Sequence, residues 1–229
     1  MSKRTKEFDR LVDRNKTYTI EEAVGILKKA PRVKFDETVD LSFNLNADPK
    51  QSDQMVRGTV ILPHGIGKNV KVLVLCKGEG ANEAKAAGAD YVGSQDLITK
   101  ISSGWIDFDV VISSPDMMKD VGRLGKVLGP AGLMPNPKTG TVTTDLARAV
   151  KEAKAGRVEF KLDKQGNINL GIGKISFDEK AICENAITVI KAVDKARPQG
   201  IKGRFIKNIT ISTTMGPGVR LDLIKLGTS

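Results

Sequence analysis

The chain has one histidine, His64, and two cysteines, Cys76 and Cys183, so the side chains that most often carry proton transfer, covalent catalysis or zinc are nearly absent. A single histidine removes His-pair metal sites and leaves any hydrolytic triad resting on His64 alone. Its setting, Leu62-Pro63-His64-Gly65, reads as a turn in which the imidazole caps or faces water. Cys76 and Cys183 stand alone in sequence, which forms neither a disulfide framework nor a zinc knuckle, and both read as small buried apolar groups. Two glycine patterns remain. Gly78-Glu79-Gly80 follows an expected strand and precedes an expected helix, as a dinucleotide loop would, but Glu83 takes the third glycine position and Glu79 sets a negative charge where pyrophosphate would approach. A tight strand-to-helix turn explains it, and no Walker lysine-hydroxyl pair or metal cluster accompanies it. Gly122-Arg123-Leu124-Gly125 has the GxxG spacing of a KH clamp on nucleic-acid backbone, a spacing that two glycines also reach by chance.

Charge points more firmly than catalytic groups do. The formal charge of +10 and pI near 9.6 suit a partner carrying many phosphates. Aromatic residues make up 4% of the chain and no RNP-type octamer occurs, so recognition rests on shape and polar groups rather than on bases stacked across rings. The loop Ser212–Gly218 suits that mode, with three hydroxyls and a Gly216 backbone that RNA can approach closely. No apolar run approaches the roughly 18 residues of a membrane helix. The start, MSKRTKEFDRLVDR, is charged where a secretory signal is apolar, and no basic amphipathic helix is present. A cytoplasmic location without a membrane partner is expected.

Two textures of hydrophobic pattern position these groups. Phe8, Leu11 and Val12 suggest a short helix over Lys6–Val12. Thr19-Ile20-Glu21-Glu22 is a capping box that opens a helix over about 20–30, stopped at Pro31. Val39, Leu41, Phe43 and Leu45 alternate with Asp40, Ser42 and Asn44 as a half-buried strand does, and Met55–Leu62 reads as a second strand. Beyond Gly67, short apolar runs alternate with helical stretches: Val70–Cys76 then Ala81–Ala87, Tyr91–Val92 then Asp96–Ser102, Phe108–Ile112 then Asp116–Val127. That is the pattern of a parallel sheet covered on both faces. Gly129–Gly140 carries three prolines and three glycines and is irregular, before a helix over Thr144–Lys154. The two-fold period resumes in Val158, Phe160 and Leu162, then Ile168, Leu170 and Ile172, with Lys164-Gln165-Gly166-Asn167 expected as a hairpin turn. A second capping box, Ser176-Phe177-Asp178-Glu179, opens a helix ending before Pro198, and Phe205–Ile211 and Val219–Leu223 read as late strands.

At 229 residues the chain is long enough for two domains. The expected fold class is α/β with two domains: a discontinuous α+β domain of residues 1–66 and 160–229, and an inserted Rossmann-like α/β domain of residues 67–159. The insert carries a net charge of +2 and the remainder +8, which places the phosphate-rich partner on the split domain.

Five motifs then carry a resemblance: Lys34-Phe35-Asp36-Glu37-Thr38-Val39, Ser52-Asp53-Gln54-Met55-Val56-Arg57-Gly58, Leu62-Pro63-His64-Gly65, Leu128-Gly129-Pro130 through Leu133-Met134-Pro135-Asn136-Pro137-Lys138, and Ser212-Thr213-Thr214-Met215-Gly216. In this order, nearly end to end, the chain resembles the bacterial L-one family of large-subunit ribosomal proteins. The resemblance implies a non-enzymatic, ribosome-bound protein without cofactor or metal, monomeric when free. It would bind rRNA of the mobile stalk beside the exit site, contact departing tRNA and repress translation of its own operon mRNA. Carried over by motif, Lys34, Phe35, Thr38, Asp163, Lys164, Thr214, Met215 and Gly216 are the expected RNA-facing residues. Lysine can neutralise phosphate, Phe35 and Met215 can cover sugars or bases, and the threonines can bond 2′-hydroxyls. Lys50 and Arg57, flanking the second motif, are candidates for tRNA contact. The chain departs from the family at Ala131, where many relatives are basic, at Asn169, commonly histidine, at Leu162, commonly polar, and at Asn46-Ala47-Asp48-Pro49, usually Gly-Ile-Asp.

Overall fold

The computed structural model describes residues 7–8, 10–13, 15–31, 33–78, 80–201 and 203–225. Lys6 and Asp9 of the expected first helix, and Glu79 of the Gly78-Glu79-Gly80 turn, lie outside them. The fold is mixed α/β, and the chain divides into two compact units, Met1–Gly67 with Val158–Ser229, and Lys68–Arg157.

The unit built from both chain ends has a four-stranded antiparallel sheet of β1 (Thr38–Leu45), β7 (Asn167–Lys174), β8 (Ile206–Thr213) and β9 (Val219–Arg220), in the order β7-β1-β8-β9. Val39, Leu41, Phe43 and Leu45 of β1 are buried. They join Ile168, Ile172, Ile209 and Ile211 in a core shared with two helices, α1 (Ile20–Lys29) and α7 (Glu179–Lys195), which supply Val24, Leu27, Ile182, Ala186 and Val189. Helix α1 begins where its capping box requires: Thr19 Oγ1 accepts from Glu22 N at 3.2 Å and the Glu22 carboxylate accepts from Thr19 N at 2.9 Å. That backbone bond is the main reason the Glu22 carboxyl lies below its ordinary range. Two further strands, β2 (Arg57–Ile61) and β6 (Arg157–Lys161), pair as a sheet of their own.

This pairing corrects the expected hairpin. Residues 163–167 do turn tightly, with Asp163 N donating to Asn167 O at 2.8 Å, but β6 joins β2 while β7 joins β1. The two strands part into different sheets because each finds its apolar partner elsewhere in the chain. The second capping box also moves. Asp178, not Ser176, caps α7 through Glu179 N, and Ser176 turns instead to Asp36, donating from Oγ to Oδ2 at 2.8 Å and from N to Oδ1 at 3.2 Å. The last strand is shorter than Val219–Leu223, ending at Arg220.

The other unit centres on three parallel strands, β3 (Val72–Leu75), β4 (Tyr91–Gly93) and β5 (Val110–Ser113), in the order β4-β3-β5. All four residues of β3 are buried, Val72 and Val74 in one cluster and Leu73 and Leu75 in another, so the sheet is covered on both faces. Helices α2 (Gly80–Ala86), α3 (Gln95–Ser102) and α6 (Leu146–Lys154) supply Ala84, Ile101 and Val150 to those layers. The helix expected over Asp116–Val127 is broken into a 3₁₀ turn at Pro115–Met117, α4 (Met118–Gly122) and α5 (Gly125–Leu128). The cause is the GxxG itself. Two glycines weaken the helix, and the amides of Arg123 and Leu124 bond three residues back, to Asp120 O at 3.2 Å and Val121 O at 2.9 Å. Buried Leu124 pins the break, so the GxxG is a helix interruption held by the core.

Candidate nucleic-acid interface

Six of the expected RNA-facing residues lie at one end of the four-stranded sheet. Thr38 opens β1 opposite Lys174 at the end of β7, and the next residue, Val39, sits opposite Thr213 at the end of β8. Past the ladder, Thr214 N donates to Thr38 O at 3.1 Å, and Thr38 N donates to Thr214 Oγ1 at 3.1 Å. The Lys174 ammonium donates to Thr38 Oγ1 at 3.0 Å and to Asp36 O at 3.4 Å. The chain before Thr38 is thus tied down twice, by Lys174 and by the Asp36–Ser176 pair, leaving Lys34 and Phe35 exposed. Phe35 and Met215 are each 53% exposed, two large apolar side chains left in water on the loops flanking one strand end.

The loop after β8 needs its glycine. Gly216 N donates to Thr213 O at 3.1 Å, and a Cβ on Gly216 would fall 2.2 Å from the hydroxyl oxygen of buried Thr213. The same geometry revises the role expected of Thr214. Its hydroxyl is engaged with the backbone of Thr38, so it positions the loop rather than standing free for a 2′-hydroxyl. Thr214→Val should therefore loosen the strand end and weaken RNA binding about fivefold, the loss of roughly one hydrogen bond. Thr214→Ser, which keeps the oxygen, should bind as the parent does; filter-binding titrations of both variants check the pair.

Asp163 and Lys164 lie elsewhere. Asp163 Oδ1 accepts from Gln165 N at 2.7 Å and Asn167 N at 2.8 Å, and Gly166, at φ +81°, closes the turn as glycine readily does. Gly166 O accepts from Leu45 N at 2.9 Å, which docks this turn at the opposite end of β1 from Thr38. At about 3.3 Å per residue the two ends stand roughly 23 Å apart. The Asp163 carboxylate is used within the turn, while Lys164 is exposed.

Between the ends runs a polar face that the residue-by-residue reading missed. Asp40, Ser42 and Asn44 of β1 sit opposite Gly171, Asn169 and Asn167 of β7 and Ser212, Thr210 and Asn208 of β8. Each of these nine is partly or fully exposed. Asn44 Nδ2 donates to Asn167 Oδ1 at 2.8 Å across it. Lys174 was also missed. The alternation along each strand announced a polar side, but the register that makes those sides continuous came from segments far apart in sequence.

The two tRNA candidates differ. Lys50 is exposed in the turn that follows β1. Arg57 is committed to Glu159, with Nε at 2.6 Å and Nη2 at 2.5 Å from Oε1, and so staples β2 to β6.

The remaining chemistry-bearing groups have structural duties. His64 Nε2 lies 2.6 Å from Glu184 Oε2 at the surface. Burial pushes the Cys76 thiol up, and chiefly burial does the same for Cys183, which is half-buried rather than buried; both are poor thiolates at neutral pH. Gly78 takes φ +67°, and a Cβ on Gly80 would lie 3.1 Å from Leu146 Cδ1, so this glycine pair serves a tight turn and helix packing. Among the described residues no group of three or more His, Cys, Asp or Glu could hold a metal, and no helix is long and apolar enough to cross a membrane.

Comparison with known proteins agrees with the strand-end motifs. A family model described as "Ribosomal protein L1p/L10e family" matches residues 27–217. The "Large ribosomal subunit protein uL1" of Persephonella marina is 58% identical over 233 residues, spanning 99% of this chain and 96% of the relative. Its namesake in Kosmotoga olearia is 57% identical over 221 residues, 96% of each chain. That of Protochlamydia amoebophila is 54% identical over 222 residues, 97% of this chain and 94% of the relative. Motifs, family model and relatives agree: the chain belongs to the Ribosomal protein L1p/L10e family, whose members are structural rather than enzymatic.

Proposed function

We propose that this protein is a structural constituent of the large ribosomal subunit, bound to rRNA of the mobile stalk beside the exit site through the four-stranded sheet. The observation that carries the reading is the Thr38 end, where exposed Phe35, Met215 and Lys34 surround a strand terminus fixed by Thr214 and Lys174. Apolar groups held in water beside a lysine suit a surface that covers sugars and neutralises phosphate. The polar face running to Lys164 extends that surface along the sheet. A second group of partners is proposed on the family resemblance: departing exit-site tRNA, for which Lys50 remains the candidate while Arg57 acts through the sheet it staples, and the protein's own operon mRNA, bound at the rRNA surface. The protein works ribosome-bound in the cytoplasm and is monomeric when free. Crosslinking in cells followed by sequencing of the attached RNA tests all three partners. Stalk rRNA should dominate, with tRNA and the protein's own leader as minor species; mainly unrelated RNA would overturn the reading.

We assign the RNA site to a domain of residues 1–66 and 160–229, with residues 67–159 as an insert. The compactness of the two units and the charge division of +8 against +2 support this. Deleting residues 68–157 and joining the ends by a short Gly/Ser linker should leave a folded remainder, since the remaining chain is large enough for one core and linker closure costs little. That remainder should keep stalk-RNA affinity within about tenfold of the parent. Affinity kept by the isolated insert and lost from a folded remainder would reverse the assignment.

A further inference from the structure

One feature of the polar face conflicts with a polyanionic partner. Asp40 sits in the middle strand, with Gly171 opposite on β7 and Ser212 opposite on β8. It is half-buried, and among the described residues no hydrogen bond reaches its carboxylate. Among the described residues the cation that acts on it is Lys174, whose ammonium is already held on Thr38 Oγ1. Gly171 leaves the carboxylate open: a Cβ there would lie 3.4 Å from Asp40 Oδ1 and 3.1 Å from Thr38 Cγ2. A carboxylate here repels phosphate, and covering it with RNA that offers no donor would strip its water without replacement.

We propose that Asp40 is a specificity-determining residue, accepting a hydrogen bond from an RNA donor, a nucleobase amino group or a 2′-hydroxyl, and keeping phosphate off the centre of the sheet. The proposal rests on the reading of this face as the RNA surface. Two acceptor oxygens in an open notch match the paired N–H groups of a guanine edge or the amino group of cytosine, as carboxylates do elsewhere in nucleic-acid recognition. The flanking hydroxyls of Thr38 and Ser42 add partners for a ribose. Partial burial already raises the Asp40 carboxyl above its ordinary range against the pull of Lys174, as a site short of donors would. Gly171 then acquires a purpose, since any side chain there would narrow the approach.

The test uses the full chain and a stalk-rRNA fragment, with Asp40→Asn and Asp40→Ser measured together so that misfolding of one variant does not decide the result. If the carboxylate accepts a donor, both variants bind at least about tenfold more weakly than the parent, the effect of a hydrogen bond to a charged group. Analogue-substituted fragments identify the donor: inosine for guanosine, purine riboside for adenosine and pyrimidinone riboside for cytidine remove base amines, and 2′-deoxy substitution removes hydroxyls. One position should cost the parent about tenfold and cost Asp40→Asn nothing. Gly171→Ala, which keeps the charge, should also weaken binding. Equal or tighter binding by Asp40→Asn would show that the carboxylate only repels, and uniform weakening with no silent position would show that it only supports the strand; either overturns the proposal. Failure of the parent itself to bind the fragment would strike the wider functional reading instead.

Discussion

Met215→Asp is expected to lower stalk-RNA affinity by about thirtyfold while leaving the thermal unfolding midpoint unchanged. The two halves of that expectation have separate causes. Met215 is 53% exposed and follows Thr214, whose amide and hydroxyl make the contacts that hold the loop, so the methionine side chain can be changed without touching the bonds that place it. Exposed substitutions away from such bonds usually shift stability by no more than about 0.5 kcal/mol. In the complex the change is severe. An apolar group covering sugar or base is lost, and a carboxylate replaces it within reach of phosphates, a like-charge contact of the kind that costs several kcal/mol when desolvated. About 2 kcal/mol is enough for the predicted factor. Met215→Leu, which keeps the apolar volume, should lose less than threefold. Equilibrium binding to a stalk fragment, with calorimetry on the same preparations, checks both halves. Near-parental binding by the aspartate variant would remove the loop from the interface.

How much of this was legible in the sequence depends on whether the deciding contacts are local. Helix α1 was legible, because Thr19 and Glu22 satisfy each other's backbone within four residues and Pro31 follows its end. Strand β1 was legible for the same reason: alternation of Val39, Leu41, Phe43 and Leu45 needs no knowledge of partners. What β6 and β7 pair with was not legible. A tight turn between two alternating segments normally makes a hairpin, and their separation into two sheets is decided by β2 and β1, about a hundred residues earlier. Ser176 shows the same limit. Its spacing to Glu179 matches a capping box, yet Asp36, distant in sequence, takes both its amide and its hydroxyl.

The candidate interface divides along that line. Residue types exposed by local motif, such as Phe35 and Met215, stand where an RNA surface would need them. Their grouping is a tertiary fact, made when Thr38 of β1 meets Thr214 beyond β8 and Lys174 of β7. The reading by motif also overestimated how many groups are free. Asp163 is spent on its own turn, Thr214 on Thr38 and Arg57 on Glu159. A sequence states which side chains could bond a ligand, and only the fold states which bonds the protein has already taken.

The largest loss of stability is expected from a residue that touches no ligand. Asn185 of α7 is fully buried; its Nδ2 donates to Ile172 O at 2.7 Å and Gly65 O at 3.0 Å, while its Oδ1 accepts from His64 N at 3.2 Å. One side chain thereby joins a helix, strand β7 and the turn Pro63-His64-Gly65, where Gly65 takes φ +65°. Asn185→Ala would leave two carbonyls and one amide without their partner and open a small cavity. Each unsatisfied buried group costs about 1–3 kcal/mol, partly offset where water enters, so a loss of about 3–4 kcal/mol is expected. For a chain of this length that is a fall of roughly 10 °C in the unfolding midpoint. Asn185→Asp should be worse, because a carboxylate would face the two carbonyl oxygens that the amide now serves. His64→Ala provides the contrast. It breaks the contact with Glu184, but those side chains are 42% and 59% exposed, and a pair so open to water contributes less than about 1 kcal/mol. The backbone amide of residue 64, which Asn185 holds, survives that substitution. Thermal unfolding of the three variants should therefore rank His64→Ala near the parent, Asn185→Ala well below it and Asn185→Asp lowest. A midpoint for Asn185→Ala within about 2 °C of the parent, less than 1 kcal/mol costs a chain of this size, would show that the turn is held by its flanking strands and not by this amide.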